Sequence, residues 1–130
     1  MPAIVAVLAL PLIAGCGSSD FRNQPRAAAP FETTASIGPK QVNVSPNRFG
    51  AGPTVITVAN LSSDPATFEL KSNSTTESTG EIQPNATTTF KTDLAQGAYQ
   101  AIAGGASGIR PGVVHVGPPR KTSQNTLLLP

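Results

Sequence analysis

Apolar residues run unbroken, apart from Pro11, from Ile4 to Ala14. That run is shorter than the roughly 20 apolar residues a spanning helix needs. It has the length of a secretory h-region and stops at small residues, as a cleavage site does. The stretch before it, Met1-Pro2-Ala3, carries no Lys or Arg, although such n-regions are normally basic. From Gly17 to about Pro39 the chain is polar and small-residue rich, with Ser18-Ser19-Asp20 and Ala27-Ala28-Ala29-Pro30. It lacks sustained apolar periodicity, which predicts a flexible tether with an r.m.s. reach of about 25 Å.

Beyond Pro39 the pattern changes to short alternating runs. Lys40–Ser45 places Val42 and Val44 on one face, and Thr54–Leu61 is β-branched through Val55, Ile56, Thr57 and Val58. Ala66–Lys71 aligns Phe68 with Leu70, and Ala86–Thr92 aligns Thr88, Phe90 and Thr92. Ala98–Ala103 and Gly112–Gly117 complete the set. The intervening clusters are Ser45-Pro46-Asn47, Gly50-Ala51-Gly52-Pro53, Ser62-Ser63-Asp64-Pro65, Gln83-Pro84-Asn85, Gln96-Gly97 and Arg110-Pro111-Gly112. Pro fixes φ, Gly permits positive φ, and Asn and Asp bond locally, so each cluster predicts a turn. Short strands at this spacing indicate an all-β, antiparallel sandwich or barrel. No long 3.6-residue period occurs after the first apolar run.

Composition agrees. Trp is absent, aromatic content is 5%, and Thr, Ser, Gly and Pro abound, as a sheet protein with a small-residue core requires. The formal net charge is +2, and the basic residues scatter from Arg22 to Lys121 without forming a stripe, so nucleic acid is not an expected partner. With one Cys, no disulfide forms within the chain. Asn43, Asn60, Asn73 and Asn85 match the Asn-x-Ser/Thr acceptor pattern, the chance yield of a chain rich in these residues.

Leu94-Ala95-Gln96-Gly97-Ala98-Tyr99 has the spacing of a tyrosine corner, in which Leu94, Gly97 and Tyr99 mark a Greek-key edge and the tyrosine hydroxyl bonds a nearby backbone group. At the other end of the chain, Ile13-Ala14-Gly15-Cys16 resembles the lipobox of bacterial lipoproteins. The resemblance implies a diacylglyceryl group on the Cys16 thiol, a fatty acyl chain such as palmitate, cleavage before Cys16, and a membrane anchor on the extracytoplasmic face. Two or more acyl chains hold stably, since each buried methylene contributes about 0.8 kcal/mol.

From Val42 to Val116 the chain resembles the cupredoxin-like domains of secreted bacterial proteins. The residues that carry this are Val44-Ser45-Pro46-Asn47-Arg48-Phe49, Gly52-Pro53-Thr54-Val55-Ile56-Thr57-Val58-Ala59-Asn60, Ser63-Asp64-Pro65-Ala66-Thr67-Phe68-Glu69-Leu70 and the Tyr99 corner. The resemblance implies a cupredoxin-like Greek-key sandwich. In the metal-binding members a His stands where this chain has Ala66, and Cys, His and usually Met lie on the loop between the last two strands. Here that loop, Gly104-Gly105-Ala106-Ser107-Gly108-Ile109-Arg110-Pro111, has none of them. A blue-copper site needs a thiolate and two imidazoles. The expectation is therefore no metal and no cofactor.

Catalytic constellations are missing as well. His115 alternates with Val114 and Val116 and reads as a strand-face residue. Gly105-Ala106-Ser107-Gly108 has the wrong spacing for a nucleophile elbow, and Glu77 and Glu81 lie in a polar stretch, Ser72–Gly80 and just after. No enzymatic activity is expected. The tail after Pro118-Pro119 ends in Leu127-Leu128-Leu129, which reads either as a frayed terminus or as a docking element for an envelope partner. The expected organisation is a lipoprotein signal peptide over 1–15, a lipidated N-terminus and tether over 16–39, a sandwich over 40–118 and a tail over 119–130. The expected role is a non-enzymatic, lipid-anchored binding or assembly module of the cell envelope. The alternative is weak copper handling or a redox-accessory role through His115.

Overall fold

The computed structural model describes residues 27–121. The proposed signal peptide, Cys16 and Leu127–Leu129 lie outside the described residues. Eight strands form: β1 (Phe31–Ile37), β2 (Val42–Ser45), β3 (Arg48–Asn60), β4 (Thr67–Lys71), β5 (Thr76–Ser78), β6 (Thr87–Leu94), β7 (Gly97–Gly104) and β8 (Gly112–Pro119). They make the all-β sandwich that the alternation predicts. One sheet runs β2-β1-β3-β6 and the other β3-β8-β7-β4-β5. β1 pairs with β3 and β3 with β8 in parallel, and every other pairing is antiparallel.

The long β3 belongs to both sheets. Its first residues pair with β8 (Arg48 opposite His115), and from Thr54 to Asn60 it pairs with β1. The register shifts between Gly50 and Ala51, and Gly52 adopts φ +127°, a conformation that suits glycine. The Gly50-Ala51-Gly52-Pro53 cluster, expected to turn the chain, instead bends one continuous strand from sheet to sheet. Glycine and proline mark a bulge there, because both neighbours of the cluster still find ladder partners.

Alternation then decides what enters the core. Ile37, Val42, Ile56, Val58, Phe68, Leu70, Leu94 and Val114 are fully buried, each contributing roughly 1.5–3 kcal/mol. Phe68 of β4 meets Phe90 of β6 edge-on, with ring centroids 6.3 Å apart, which ties the sheets across the core.

Three expected boundaries need correction. The tether does not extend to residue 39: β1 occupies Phe31–Ile37 and lies between β2 and β3, with Thr33, Ala35 and Ile37 buried. Two of those three are small, so the inward face carries little apolar signal; Thr33 fits because its hydroxyl donates to the Pro46 carbonyl at 3.0 Å. The polar stretch Ser72–Gly80 holds the short strand β5, which pairs with β4 as an edge and needs no buried face. Finally, the sandwich does not end at Pro118. β8 continues to Pro119, and the Arg120 amide donates to the Ala51 carbonyl at 3.1 Å.

Candidate functional site: the two ends of the sandwich

The loops after β3 and β7 meet at one end. Asn60 organises it: this residue has 0% exposure, and its Nδ2 donates to the carbonyls of Asp64 and Ile82, both at 2.8 Å. Its Oδ1 accepts from the Ser62 amide at 3.0 Å and the Ser62 hydroxyl at 2.6 Å. The side chain thus stands in for backbone pairing across a loop that cannot join a ladder. A buried, fully bonded amide is also no place for a glycan in the folded chain.

The Asn60 loop delivers Ala66, where copper-binding members of the resembled family carry a His. Ala66 is 1% exposed and exchanges two backbone bonds with Ile82, at 3.1 and 2.8 Å. Ala106 and Ile109 of the β7–β8 loop pack against the same core. That loop is sewn to the β1–β2 turn: Val42 N–H donates to Arg110 O and Arg110 N–H to Lys40 O, each at 2.9 Å. Gly112 is required there, since a Cβ on it would lie 2.6 Å from the Val42 carbonyl oxygen. The residues at this end do not fit a copper ion, which needs a thiolate and imidazoles, because Ala66, Ala106 and Ile109 carry no ligand atom in their side chains. Among the described residues no three His, Cys, Asp or Glu side chains converge on a metal-sized site. Leu61, 57% exposed, is the large apolar side chain presented at this end.

His115 sits at the opposite end, exposed on the outer face of β8, while Val114 and Val116 point inward. Its strand partners are Arg48 of β3 and Ala98 of β7. With Phe49, Gln96, Gly97, Val116 and Gly117, Arg48 and His115 line a shallow cleft of about 460 Å³. Gln96 and Gly97 reach it from the β6–β7 turn, where the Tyr99 hydroxyl donates to the Ala95 carbonyl at 3.0 Å. That is the hydrogen bond a tyrosine corner makes. Leu94 and Tyr99 are buried beside it, so this trio shapes the turn and offers no exposed reactive group.

On the sequence alone Arg120 pairs with Lys121 as a basic step ahead of the tail leucines, suited to an anionic lipid surface; the structure gives it a different task. Its Nε donates to Ala51 O at 3.3 Å, Nη1 to Ala29 O at 3.1 Å, and Nη2 to Pro53 O. The guanidinium carbon lies 5.5 Å from the centre of the Phe31 ring, and Phe31 stacks on Phe49 at 4.8 Å. Gly50 and Gly52 make room for it: a Cβ on Gly50 would meet the Arg120 stem at 2.5 Å. Arg120 therefore fastens the point where the chain leaves the sandwich to the point where it arrives. Its position just after Pro118-Pro119 suggests a departing tail, and only the three-dimensional proximity of Ala29, Ala51 and Pro53 reveals the clamp.

The remaining candidates stay apart. Glu77 lies on β5 opposite Leu70, and Glu81 accepts from Gln83 Nε2 at 2.8 Å, so the two carboxylates do not form an acid–base pair. Ser107 is exposed on the β7–β8 loop and His115 lies in the middle of β8, beside Arg48.

No family model and no curated protein matches the chain. Among solved structures, it is similar to a multicopper oxidase, with 14% identity, 70% of this chain and 42% of that chain covered, and a TM-score of 0.47. It is also similar to the Cu-containing nitrite reductase (NirK) from Thermus scotoductus SA-01, with 16% identity, coverage of 78% and 30%, and a TM-score of 0.46. The chain spans less than half the length of either structure. Similarity at this level does not bear on function.

Proposed function

We propose that this protein is a non-enzymatic, lipid-anchored module of the cell envelope, held on the extracytoplasmic face through Cys16, which binds or assembles with a protein partner. The observation that carries the reading is the Arg120 clamp. It brings the chain's arrival at Ala29 and its departure at Arg120 to one end of the sandwich. An anchor at Cys16 then leaves the Asn60–Ala66 and Gly104–Pro111 loops at the far end, directed away from the bilayer. Those loops are pinned by backbone and Asn60 bonds, so they present a preorganised surface with Leu61 at its edge.

The chemistry of the loop end supports binding over electron transfer, as Ala66, Ala106 and Ile109 offer no ligand atoms beyond their backbone. Site-specific photocrosslinking in intact cells tests the proposal. A crosslinker at Leu61 or Ser107 is expected to capture one defined partner, and one at Thr57, on the outer face of the other sheet, is expected not to. Equal capture from all three positions, or from none, contradicts a partner-binding loop end. A chain ending at Lys121 retains Arg120 and isolates the contribution of Leu127–Leu129; loss of the partner in that chain assigns docking to the tail instead.

A further inference from the structure

The end that carries the clamp holds the neighbours Arg48 and His115 on one face, and Arg120 over Phe31, which stacks on Phe49. Arg48 and His115 are neighbours across β3 and β8, and the positions flanking them on the outer face are Gly50, Ala98, Gln100, Val113 and Gly117. None of these is a carboxylate, so neither Arg48 nor His115 has an acidic neighbour beside it in its own sheet. Glu32 and Asp93 stand toward the same end but in the other sheet, Glu32 opposite Val55 and Asp93 opposite Pro53, and neither is paired in a ladder with Arg48 or His115. Gly97 and Gly117 carry no side chains, which leaves the floor of the cleft open beneath Arg48, Gln96 and His115.

We propose that this cleft seats the phosphate of an anionic phospholipid headgroup, so that the clamped end of the domain lies against the bilayer. The inference rests on the lipid anchor at Cys16, since that anchor brings this end to a membrane. Arg48 supplies a planar fork suited to a phosphate diester, and His115 and Gln96 supply further donors on either side. Phe49 supplies the apolar side of the cleft, toward the glycerol backbone. Arg120 is engaged with three backbone carbonyls, so its charge adds to the field of the cleft without binding the lipid directly. Lys121, exposed just beyond it, extends the same field.

Vesicle sedimentation with the full chain carrying Cys16→Ser, which removes the anchor, tests the cleft alone. Vesicles containing phosphatidylglycerol are compared with pure phosphatidylcholine. Arg48→Gln is expected to weaken binding to the anionic vesicles about fivefold, the effect of one basic group near such a surface. Arg48→Gln with His115→Gln is expected to weaken it further, and binding to phosphatidylcholine is expected not to change. Lys40→Gln with Arg110→Gln, at the far end, is expected to have no effect. All these positions are exposed, and thermal melting confirms that each variant folds. Undiminished binding by the double cleft variant overturns the proposal, as does an equal loss from the far-end pair. Saturation of the Gly97 and Gly117 amide shifts by inorganic phosphate, without a response to anionic vesicles, also overturns it and assigns the cleft to a soluble anion. Acylation of the unaltered Cys16, measured separately by mass spectrometry, distinguishes failure of the anchor from failure of the cleft.

Discussion

Asn60 uses both amide protons and its carbonyl oxygen to hold the Asp64 and Ile82 carbonyls and Ser62 in place. Asn60→Ala removes four hydrogen bonds and leaves the Ser62 amide without a partner. The Ile82 and Asp64 carbonyls keep the Ala66 amide and the Ser62 hydroxyl. An unpaired buried group costs about 1–3 kcal/mol and a lost hydrogen bond about 1 kcal/mol. The expected loss of stability is about 3 kcal/mol in chemical denaturation, whereas Ser62→Ala, which leaves both Asn60 donors paired, is expected to lose only about 1 kcal/mol. Equal losses would refute the assignment of Asn60 as organiser. Arg120 is a second single-residue tie. Arg120→Met keeps a stem beside Gly50 and removes three hydrogen bonds; it is expected to cost about 2 kcal/mol. Because one of those bonds grips Ala29, limited proteolysis before Phe31 is expected to quicken, and unchanged cleavage there would count against the clamp. Asn60 appeared in the sequence within the run that resembles cupredoxin-like domains. Its burial could not be read from that run, since an asparagine after a run of β-branched and apolar residues equally suits an exposed turn.

At the scale of elements, most strands were legible because a single buried face writes itself as a period of two. β4, β7 and β8 carry Phe68 and Leu70, Ala101 and Ala103, and Val114 and Val116 inward, as the alternation requires. β1 was hidden because Thr33 and Ala35 fill its inward positions, and its pairing partners come from later in the chain. A chain beginning at Ala27 is expected to unfold cooperatively on heating. One beginning at Lys40 lacks the strand between β2 and β3 and is expected to show no cooperative transition; a normal melt from it would restore the longer tether. The bend in β3 was misread for a different reason: glycine and proline punctuate turns and bulges alike, and only ladder partners on both sides separate the two. Gly112→Ala tests the closed β7–β8 loop, because its Cβ would press on the Val42 carbonyl oxygen at 2.6 Å. Overpacking of this kind is expected to cost about 1–3 kcal/mol, measured by denaturation.

As a whole molecule, the sandwich has two unlike ends. One is closed by Asn60, Ala66, Ala106 and Ile109, and the other gathers the chain's arrival and departure beside Arg48, His115 and Arg120. Copper titration separates the two roles drawn from the sequence. Titration with Cu(I) and Cu(II) is expected to give no stoichiometric binding, and His115→Ala is expected to leave the titration unchanged. Saturation at one equivalent that His115→Ala abolishes would revive copper handling. The candidate site was legible in part: the lack of ligands at Ala66 and on the loop stood in the sequence, but the Arg48–His115 neighbourhood did not. These two residues are far apart in the chain, and only the parallel pairing of β3 with β8 sets them side by side. The account depends most on the lipid anchor, since membrane orientation and the role of the far loops both follow from it. Intact-mass spectrometry of the protein recovered from the membrane fraction tests that anchor most directly. The account predicts a chain beginning at Cys16 and carrying a diacylglyceryl group, with Cys16→Ser leaving the membrane fraction. A chain with an unmodified Cys16 thiol, whether cleaved or not, would contradict it.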